Sequence, residues 1–279
     1  MKALFDKISL DTSRHITRSY STSFSIGIFC LSRKLHNAIY SVYGFVRLAD
    51  EIVDSFHDYD KQTLLAEFRQ QTYEAIDRKL SLNPVLNSFQ QVVWDYGIEQ
   101  DLIDCFLDSM EMDLSMQGHD AQSYEQYILG SAQVVGLMCL RVFTQGDRPL
   151  YERLKTPAMK LGAAFQKVNF LRDIRDDNRI LGRVYFPGVD LNAFTEADKY
   201  AIETDIEADF HAALEGIKQL PASSRFGVYT AYIYYRKLFN KIKQIAPSEI
   251  LHRRVRIPDY QKMNLLAYSY VRNSLKLLS

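Results

Sequence analysis

Apolar residues recur at spacings of three and four along most of this 279-residue chain, and strict alternation of apolar and polar positions is nearly absent. The first pattern is typical of amphipathic helices, whereas alternation is typical of half-buried strands. Prolines fall between the periodic segments or in their first turns, where a helix tolerates them. The pattern predicts helices over residues 34–56, 62–80, 99–116, 124–143, 157–175, 196–220, 226–245 and 260–278.

The predicted fold class is all-α. One clearly irregular stretch, residues 182–189, separates two of the helices, and the chain contains neither a repeat of fixed period nor a low-complexity linker. A hydrophobic content of 47% is ample for one large core. We therefore predict a single domain over residues 1–279, built as one bundle of roughly eight to ten helices.

Charge and cysteine content limit the possible partners and compartment. Lysine plus arginine equals aspartate plus glutamate at 34 each, so the chain has no overall field that would attract nucleic acid. The three cysteines are far apart and lie in apolar surroundings, which favours reduced thiols over a disulfide framework. No signal sequence is evident, and no uncharged run reaches the ~18 residues of a membrane span. We expect a cytoplasmic protein.

Two carboxylates lie four positions apart in the stretch RLADEIVDSF, residues 47–56. Helical geometry puts Tyr43, Arg47, Asp50 and Asp54 on one face of the predicted helix. Taken alone, this stripe could be a solvated face with an ion pair between Arg47 and Asp50.

A second stripe makes that explanation less attractive. The stretch QKVNFLRDIRDDNR, residues 166–179, carries Gln166, Asn169, Asp173 and Asp177 at the same spacings, again among mostly apolar positions. Carboxylates on one helix face repel each other, and their burial without a counter-charge is costly. Mg²⁺ prefers carboxylate and amide oxygens together with substrate phosphates. Two facing stripes would hold two or three Mg²⁺ ions, with Mn²⁺ as a possible substitute, and these ions would bind a diphosphate.

The chemistry that suits this arrangement is the ionisation of an allylic diphosphate. The metal ions would stabilise the departing pyrophosphate, while a deep apolar cavity would shelter the carbocation from water. A helical bundle with an acidic rim is the structure that we expect for such a site.

The two acidic stretches, DEIVD and NFLRDIRDD, resemble the aspartate-rich motifs of the squalene and phytoene synthase family, the head-to-head prenyl transferases. This resemblance implies an isoprenoid-synthase-type helical bundle with a central apolar cavity, and it spans nearly the whole chain. Further stretches resemble the family in the same order: SYSTSF (19–24), YGFVRLADEIVD (43–54), MEMDL (110–114), YILGSAQVVG (127–136), GRVYFP (182–187) and RRVRIPDYQKM (253–263).

The resemblance implies roles for the matching residues. It implies that the metal ligands are Asp50, Asp54, Asn169, Asp173 and Asp177. It implies catalytic roles for these four aspartates together with Tyr43 and Arg47. It implies substrate contacts by Tyr20, Ser21, Thr22, Ser23, Tyr43, Arg47, Tyr127, Gln166, Asn169, Arg172, Tyr235 and Arg254.

Several of these residues also have structural explanations. Tyr43 and Tyr127 could be aromatic residues that pack between helices, and Arg172 could pair with Asp176. A solvated basic run would explain Arg253, Arg254 and Arg256.

The chain also departs from the family pattern. Glu51 stands where many members have an aspartate, at a position that we expect to point away from the stripe. Ser131 and Gln133 replace the usual valine and glycine. If Gln133 faced the cyclopropyl intermediate, water capture could yield an alcohol, but helical spacing favours its packing against a neighbouring helix.

The resemblance implies that two prenyl diphosphates condense head to head through a cyclopropylcarbinyl diphosphate. We expect phytoene from two geranylgeranyl diphosphates, without NADPH, because the C-terminal segment resembles phytoene synthases and the chain ends soon after it. Alternatives are dehydrosqualene, hydroxysqualene or squalene synthesis from farnesyl diphosphate. A catalytically silent helical assembly factor is a further alternative, although such a protein has no physical reason to keep clustered carboxylates.

A hydrocarbon product has almost no solubility in water, so we expect peripheral contact with the inner membrane. Candidate contacts are apolar side chains in MKALFDKISL, residues 1–10, or near Phe143. We expect a monomer or a weak dimer.

Overall fold

The computed structural model describes residues 1–115, 118–178, 182–252 and 254–258, and twelve α-helices occupy these residues. The predicted all-α class is confirmed. A π-helical turn, Leu129–Gln133, joins the seventh helix to the eighth, and a short 3-10 turn, Leu191–Ala193, precedes the tenth. The helices are α1 Lys2–Tyr20, α2 Thr22–Phe29, α3 Arg33–Ser55, α4 Lys61–Arg78, α5 Pro84–Tyr96, α6 Gln100–Ser115, α7 Ala121–Ile128, α8 Val134–Thr144, α9 Arg148–Asp176, α10 Glu196–Gln219, α11 Ala222–Lys243 and α12 Pro247–Ile250.

Seven of the predicted helices correspond to α3, α4, α6, the pair α7 and α8, α9, α10 and α11. The eighth, over residues 260–278, lies outside the described residues. The predicted total of eight to ten helices was too low, because the apolar pattern did not reveal α1, α2, α5 or the short α12.

The first helix escaped prediction because its buried face is polar. Ser9, Ser13 and Thr17 are fully buried at a spacing of four residues. The Ser13 hydroxyl lies 2.7 Å from the Ser88 hydroxyl of α5. On the α3 side Gly44 permits the close approach, since a Cβ there would lie 2.8 Å from Ser13 Oγ.

The fifth helix begins at Pro84, which lies between two of the predicted helices. The Asn83 side chain caps α5 by accepting from the backbone N–H groups of Val85 and Leu86, and Pro84 occupies the first turn. Gly97, with a φ of +63°, ends the helix in the left-handed conformation.

The ninth helix extends further than its predicted range of 157–175. It begins after Asp147, whose side chain accepts from the Leu150 N–H, and it runs through Pro157 without a break. The facing helix α10 makes room for the proline ring, because a Cβ on Gly216 would lie only 2.2 Å from Pro157 Cβ. At 1.5 Å per residue, α9 is about 43 Å long.

A buried ion-pair network joins α9 to α10. The Lys167 and Lys160 ammonium groups each lie 2.7 Å from the Asp209 carboxylate, which is 1% exposed. Because a buried carboxylate without partners is costly, this network fixes how the two helices pack.

The hydrophobic core consists of three clusters. The first lies among α3 to α6 and α8, around the stacked rings of Phe45 and Phe89. The second lies among α9 to α11, around Phe210 and Phe239. The third cluster is smaller; its buried members are Leu137, Leu140, Tyr151, Leu154 and Leu220.

Two non-helical segments complete the second cluster. Residues 182–189 form no helix, as predicted, and the side chains of Arg183, Tyr185 and Phe186 are buried there. The C-terminal segment 254–258 buries Val255 and Ile257, and its Arg256 carbonyl accepts a hydrogen bond from Lys241.

One stretch among the described helices, Ala121–Thr144, is long and apolar enough to cross a membrane. Of its most apolar window, 56% is buried in the bundle. A core helix meets the same criterion, so this stretch is weak evidence for a membrane span. The three cysteines are unpaired, as predicted.

Candidate active site

A cavity of about 1060 Å³ lies between the clusters and is lined by residues of all three. This volume is at the upper end of the range of about 300–1,000 Å³ for small-molecule sites. Polar residues line one end, which we call the rim, and apolar residues line the remainder. All the predicted site residues line this cavity: Tyr20, Ser21, Thr22, Ser23, Tyr43, Arg47, Asp50, Asp54, Tyr127, Gln166, Asn169, Arg172, Asp173, Asp177, Tyr235 and Arg254.

The first acidic stripe lies on α3. Arg47 donates to Asp50 at 2.5 Å, which is the ion pair expected of a merely structural stripe, but both residues line the cavity. Arg47 also pairs with Glu51. The long Arg47 side chain reaches Glu51 one turn along the helix, whereas Glu51 is not among the described residues that line the cavity.

The second stripe lies on the last turns of α9. Asp173 accepts from Arg172 at 2.9 and 2.5 Å and pairs with Arg254 at 2.7 Å. The suggested pair between Arg172 and Asp176 does not form, because Arg175 occupies Asp176 instead.

Arg254 contacts Asp173 and lines the cavity, so it belongs to the rim. It is therefore not merely part of a solvated basic run, which was the structural alternative for this arginine. Asn169, one turn before Asp173, accepts a hydrogen bond from the Tyr235 hydroxyl of α11 at 3.3 Å. Arg253, which the same alternative included, lies outside the described residues.

The rim carboxylates are close enough to perturb one another. Burial raises the pKa of Asp50 to about 7, and repulsion from Asp54 contributes. Burial and repulsion from Asp173 raise the pKa of Asp177 to about 8. Negative charge at the rim is therefore only partly neutralised by the arginines, which is the electrostatic condition that favours binding of cations.

A network that sequence reasoning missed connects the rim to the irregular loop. Arg183 donates to Asp54 at 2.8 Å and to the Asp113 backbone carbonyl at 2.9 Å. The Asp113 carboxylate accepts from Tyr127 at 2.6 Å and from Tyr185 at 3.3 Å. Burial raises the pKa of Asp113 to about 6. The sequence signals that could have identified this network are the family-like stretches MEMDL, which contains Asp113, and GRVYFP, which contains Arg183.

The N-terminal segment SYSTSF lies at the start of α2. Ser21 caps this helix by accepting from the Phe24 N–H at 3.2 Å. The guanidinium of Arg47 lies 4.3 Å from the centre of the Tyr20 ring. The α2 N-terminus thus adjoins the first acidic stripe, and helix N-termini favour anions.

Aromatic rings from four helices lie just beneath the rim. Phe24 of α2 lies 5.4 Å from Tyr43 of α3 and 6.3 Å from Tyr235 of α11, measured between ring centres. Phe165 of α9 stacks on Tyr235 at 3.9 Å. Aromatic faces attract cations, so this group can stabilise positive charge inside the cavity. Phe24 and Phe165 were not predicted.

The unusual polar residues near the centre of the cavity wall lie in the π-helical turn. Ser131 lines the cavity, whereas Gln133 is not among the cavity-lining residues of the described chain. This placement agrees with the expectation from helical spacing that Gln133 does not face the cavity.

Oxygen donors that suit a hard divalent cation are present at the rim, but they are not assembled into a complete cage. No three histidine, cysteine, aspartate or glutamate side chains in the described residues are arranged to hold a metal ion. Mg²⁺ is commonly bound by one or two carboxylates together with substrate phosphates. The donor set therefore fits ions whose coordination a diphosphate would complete.

Comparisons with known proteins agree with this geometry. A family model described as squalene/phytoene synthase matches residues 17–261. A phytoene synthase of Arthrospira platensis is 26% identical over 95% of this chain and 93% of its own length. A presqualene diphosphate synthase of Sinorhizobium fredii is 30% identical over 69% of this chain and 68% of its own. The crystal structure of a dehydrosqualene synthase with bound ligand superposes with a TM-score of 0.85 at 21% identity, covering 96% of this chain and 98% of that one.

Proposed function

Because the chain belongs to the squalene/phytoene synthase family and is a prenyltransferase of the head-to-head type, we propose that it joins two geranylgeranyl diphosphates to form phytoene. The observation that carries the proposal is the combination of an acidic rim with an apolar cavity of matching depth. The family shares the head-to-head condensation of prenyl diphosphates. The length of the prenyl chain, the product and the metal requirement belong to this proposal.

The depth of the cavity supports a twenty-carbon substrate. On α9 the apolar lining runs from Leu154 to the first polar position, Gln166, which is about 18 Å at 1.5 Å per residue. Along the facing π-helical turn and α8, the cavity-lining residues Ser131 and Phe143 are also twelve positions apart. A geranylgeranyl main chain has fifteen carbon–carbon bonds, and at about 1.2 Å per bond, as in extended peptide backbone, it extends about 18 Å. A farnesyl chain, with eleven bonds, extends only about 13 Å.

The residues at the rim suit Mg²⁺, with Mn²⁺ as a possible substitute. Asp50, Asp54, Asn169, Asp173 and Asp177 would hold the ions through oxygen atoms alone, which is the donor chemistry that both cations prefer. When bound, the ions would stabilise the negative charge of the departing diphosphate.

The arginines of the rim would orient the diphosphates. Arg47, Arg172 and Arg254 now pair with Asp50 and Asp173, and guanidinium groups bind diphosphate oxygens through charge-assisted hydrogen bonds. The α2 N-terminus, with Ser21 to Ser23, offers further donors for the same anion.

The reaction proceeds in two stages that balance without a reductant. The C1–O bond of one substrate breaks, the resulting cation alkylates the double bond of the second, and loss of a proton closes the cyclopropane. The second C–O bond then breaks, the carbon skeleton rearranges, and a second proton is lost to give the triene. The released diphosphate can accept these protons, and NADPH takes no part.

The apolar lining and the aromatic group would control the fate of the cations. The group of Phe24, Tyr43, Phe165 and Tyr235 would stabilise positive charge, while the lining below it excludes the water that would otherwise give an alcohol.

The proposal is tested by product analysis. The purified protein is incubated with Mg²⁺ and either the fifteen-carbon or the twenty-carbon diphosphate, with and without NADPH, and the products are identified by mass and by ultraviolet absorbance. We expect phytoene, with its triene chromophore, from the twenty-carbon substrate in both conditions. A cyclopropyl intermediate that persists until NADPH is added, an alcohol, or activity confined to the fifteen-carbon substrate would each contradict the proposal, as would full turnover in excess EDTA.

We also propose that the protein acts in the cytoplasm and touches the inner membrane peripherally. Leu4 and Ile8 support this, because they lie one turn apart on α1 and are 63% and 49% exposed. Phe143, the other sequence candidate, lines the cavity and packs against the third cluster, so we assign the contact to α1.

A further inference from the structure

The third cluster lies at the end of the cavity opposite the rim. Its position follows from α9, which carries Leu154 near its start and Asp173 near its end. Six residues of the cluster or packed against it line the cavity: Leu140, Phe143, Leu154, Ala158, Leu220 and Val228. They come from four helical segments and together close the apolar end.

We propose that this cluster is the floor that determines which prenyl chain length the enzyme accepts, with Leu154 and Ala158 as the deciding residues. The inference rests on the proposed function for the identity of the substrate. Leu154, which is 1% exposed, forms the deepest position on α9. Ala158 lies one turn closer to the rim and presents only a methyl group to the cavity wall.

The distances of Leu154 and Ala158 from the rim, measured along α9, can be compared with the lengths of extended prenyl chains. Leu154 lies about 18 Å below Gln166, and Ala158 lies about 12 Å below it, at 1.5 Å per residue. The smaller distance is close to the ~13 Å of an extended farnesyl chain. A bulky side chain at position 158 would therefore leave room for fifteen carbons but not for twenty, and a small one at position 154 would admit a longer chain.

Two substitutions test the floor, each with a matched control in the same cluster. Ala158→Phe raises the floor and Leu154→Ala lowers it. Met159→Phe places the same ring on the adjacent residue, and Leu137→Ala removes the same atoms from a buried leucine; both residues belong to or pack against the cluster without lining the cavity. Ala158→Leu adds less volume and replaces the phenylalanine variant if that variant does not fold.

The measurement is kcat/KM for the fifteen-, twenty- and twenty-five-carbon diphosphates with Mg²⁺, on proteins whose helix content matches the wild type by circular dichroism. We expect Ala158→Phe to lower the ratio of twenty- to fifteen-carbon use at least about tenfold, since one misfitting methylene alone is worth about tenfold or more. We expect Leu154→Ala to raise use of the twenty-five-carbon substrate relative to the twenty-carbon one by a similar factor. Both controls should keep the wild-type ratios.

Folded Ala158 and Leu154 variants with wild-type ratios would overturn the inference, and so would equal shifts in the Met159 and Leu137 controls. The two proposals can fail separately. If the wild type prefers the fifteen-carbon substrate, the substrate assignment is wrong, but opposite shifts of the ratios in the two variants still support the floor.

Discussion

At the residue scale, the rim is a set of carboxylates held by arginines. Arg47 pairs with Asp50, Arg183 with Asp54, and Arg172 and Arg254 with Asp173. Burial and mutual repulsion raise the pKa values of Asp50 and Asp177. The arginines thus hold the rim together, while the raised pKa values indicate that additional positive charge would stabilise the ionised carboxylates.

Loss of one rim carboxylate should therefore impair the chemistry more than the fold. We expect Asp50→Asn or Asp173→Asn to lower turnover at least about a hundredfold at saturating Mg²⁺, because lost metal-ligand charge removes several kcal/mol of leaving-group stabilisation. Diphosphate release measures turnover, and circular dichroism should show unchanged helix content. Asp95→Asn, on the exposed face of α5, is the control and should behave as the wild type. Near-normal turnover of either rim variant would contradict the metal-site assignment.

The residues that sequence spacing could predict are those that repeat along one helix. Asp50 with Asp54, and Asp173 with Asp177, show their shared faces directly in the sequence. Asp113 and Arg183 do not, because each is a single charge whose partners lie on distant segments, such as Asp54 for Arg183. Only the surrounding motifs drew attention to them.

At the element scale, buried polar side chains explain two of the missed helices. A period of three and four in apolar residues finds α3, α6 or α10, but α1 buries serine and threonine, and α5 buries Asn87, Ser88 and Gln90 beside its apolar residues. Pro84 and Pro157 show a second limit, because a proline begins one helix and lies within another. Only the facing Gly216 explains how α9 accommodates Pro157.

The crossing of α2 and α11 provides a test of such close packing. A Cβ on Gly227 would lie 2.4 Å from Leu31 Cδ2 and 2.7 Å from the Gly27 carbonyl oxygen, and the backbone oxygen cannot move aside without moving α2. We expect Gly227→Ala to lower the free energy of unfolding by about 1–3 kcal/mol, measured by urea denaturation. We also expect a higher KM, because α2 carries Ser21 to Ser23.

Gly27→Ala is the matched control on the other side of the same crossing. Its Cβ would meet Ala231 Cβ and the Gly227 carbonyl at 3.6 Å, which is an ordinary contact. Because alanine favours a helix over glycine by up to about 1 kcal/mol, this variant should be neutral or slightly more stable. Equal destabilisation by both substitutions would show that the close approach does not limit the packing.

At the scale of the whole molecule, the proposed hydrocarbon product would be insoluble in water, so it would have to leave the cavity toward a lipid surface. We expect weak, reversible flotation of the protein with liposomes, since Leu4 and Ile8 offer a small apolar surface. The double variant Leu4→Ser and Ile8→Ser should float less while keeping its turnover in detergent. A variant with Thr12→Ala, at a half-buried position one turn further along the same helix, is the control. Release of product into buffer without any lipid association would contradict the proposal.

The bundle as a whole could be predicted as all-α, but its cavity could not be measured from the sequence. The depth depends on α9 beginning at Arg148, nine residues before the predicted start, since Leu154 would otherwise lie outside the helix. The floor also depends on Leu220 and Phe143, whose meeting with Leu154 is a matter of tertiary packing alone.

The proline within α9 also affects how the two ends of the molecule can move. Pro157 has no N–H, so the helix lacks one backbone hydrogen bond between its first turns and the remainder. The ion pairs of Lys160 and Lys167 with Asp209 lie beyond this point, on the rim side. Small rotations of the segment that carries Leu154 therefore cost less than rotations of the segment that carries Asp173. The floor of the cavity can therefore adjust its shape slightly without changing the spacing of the carboxylates at the rim.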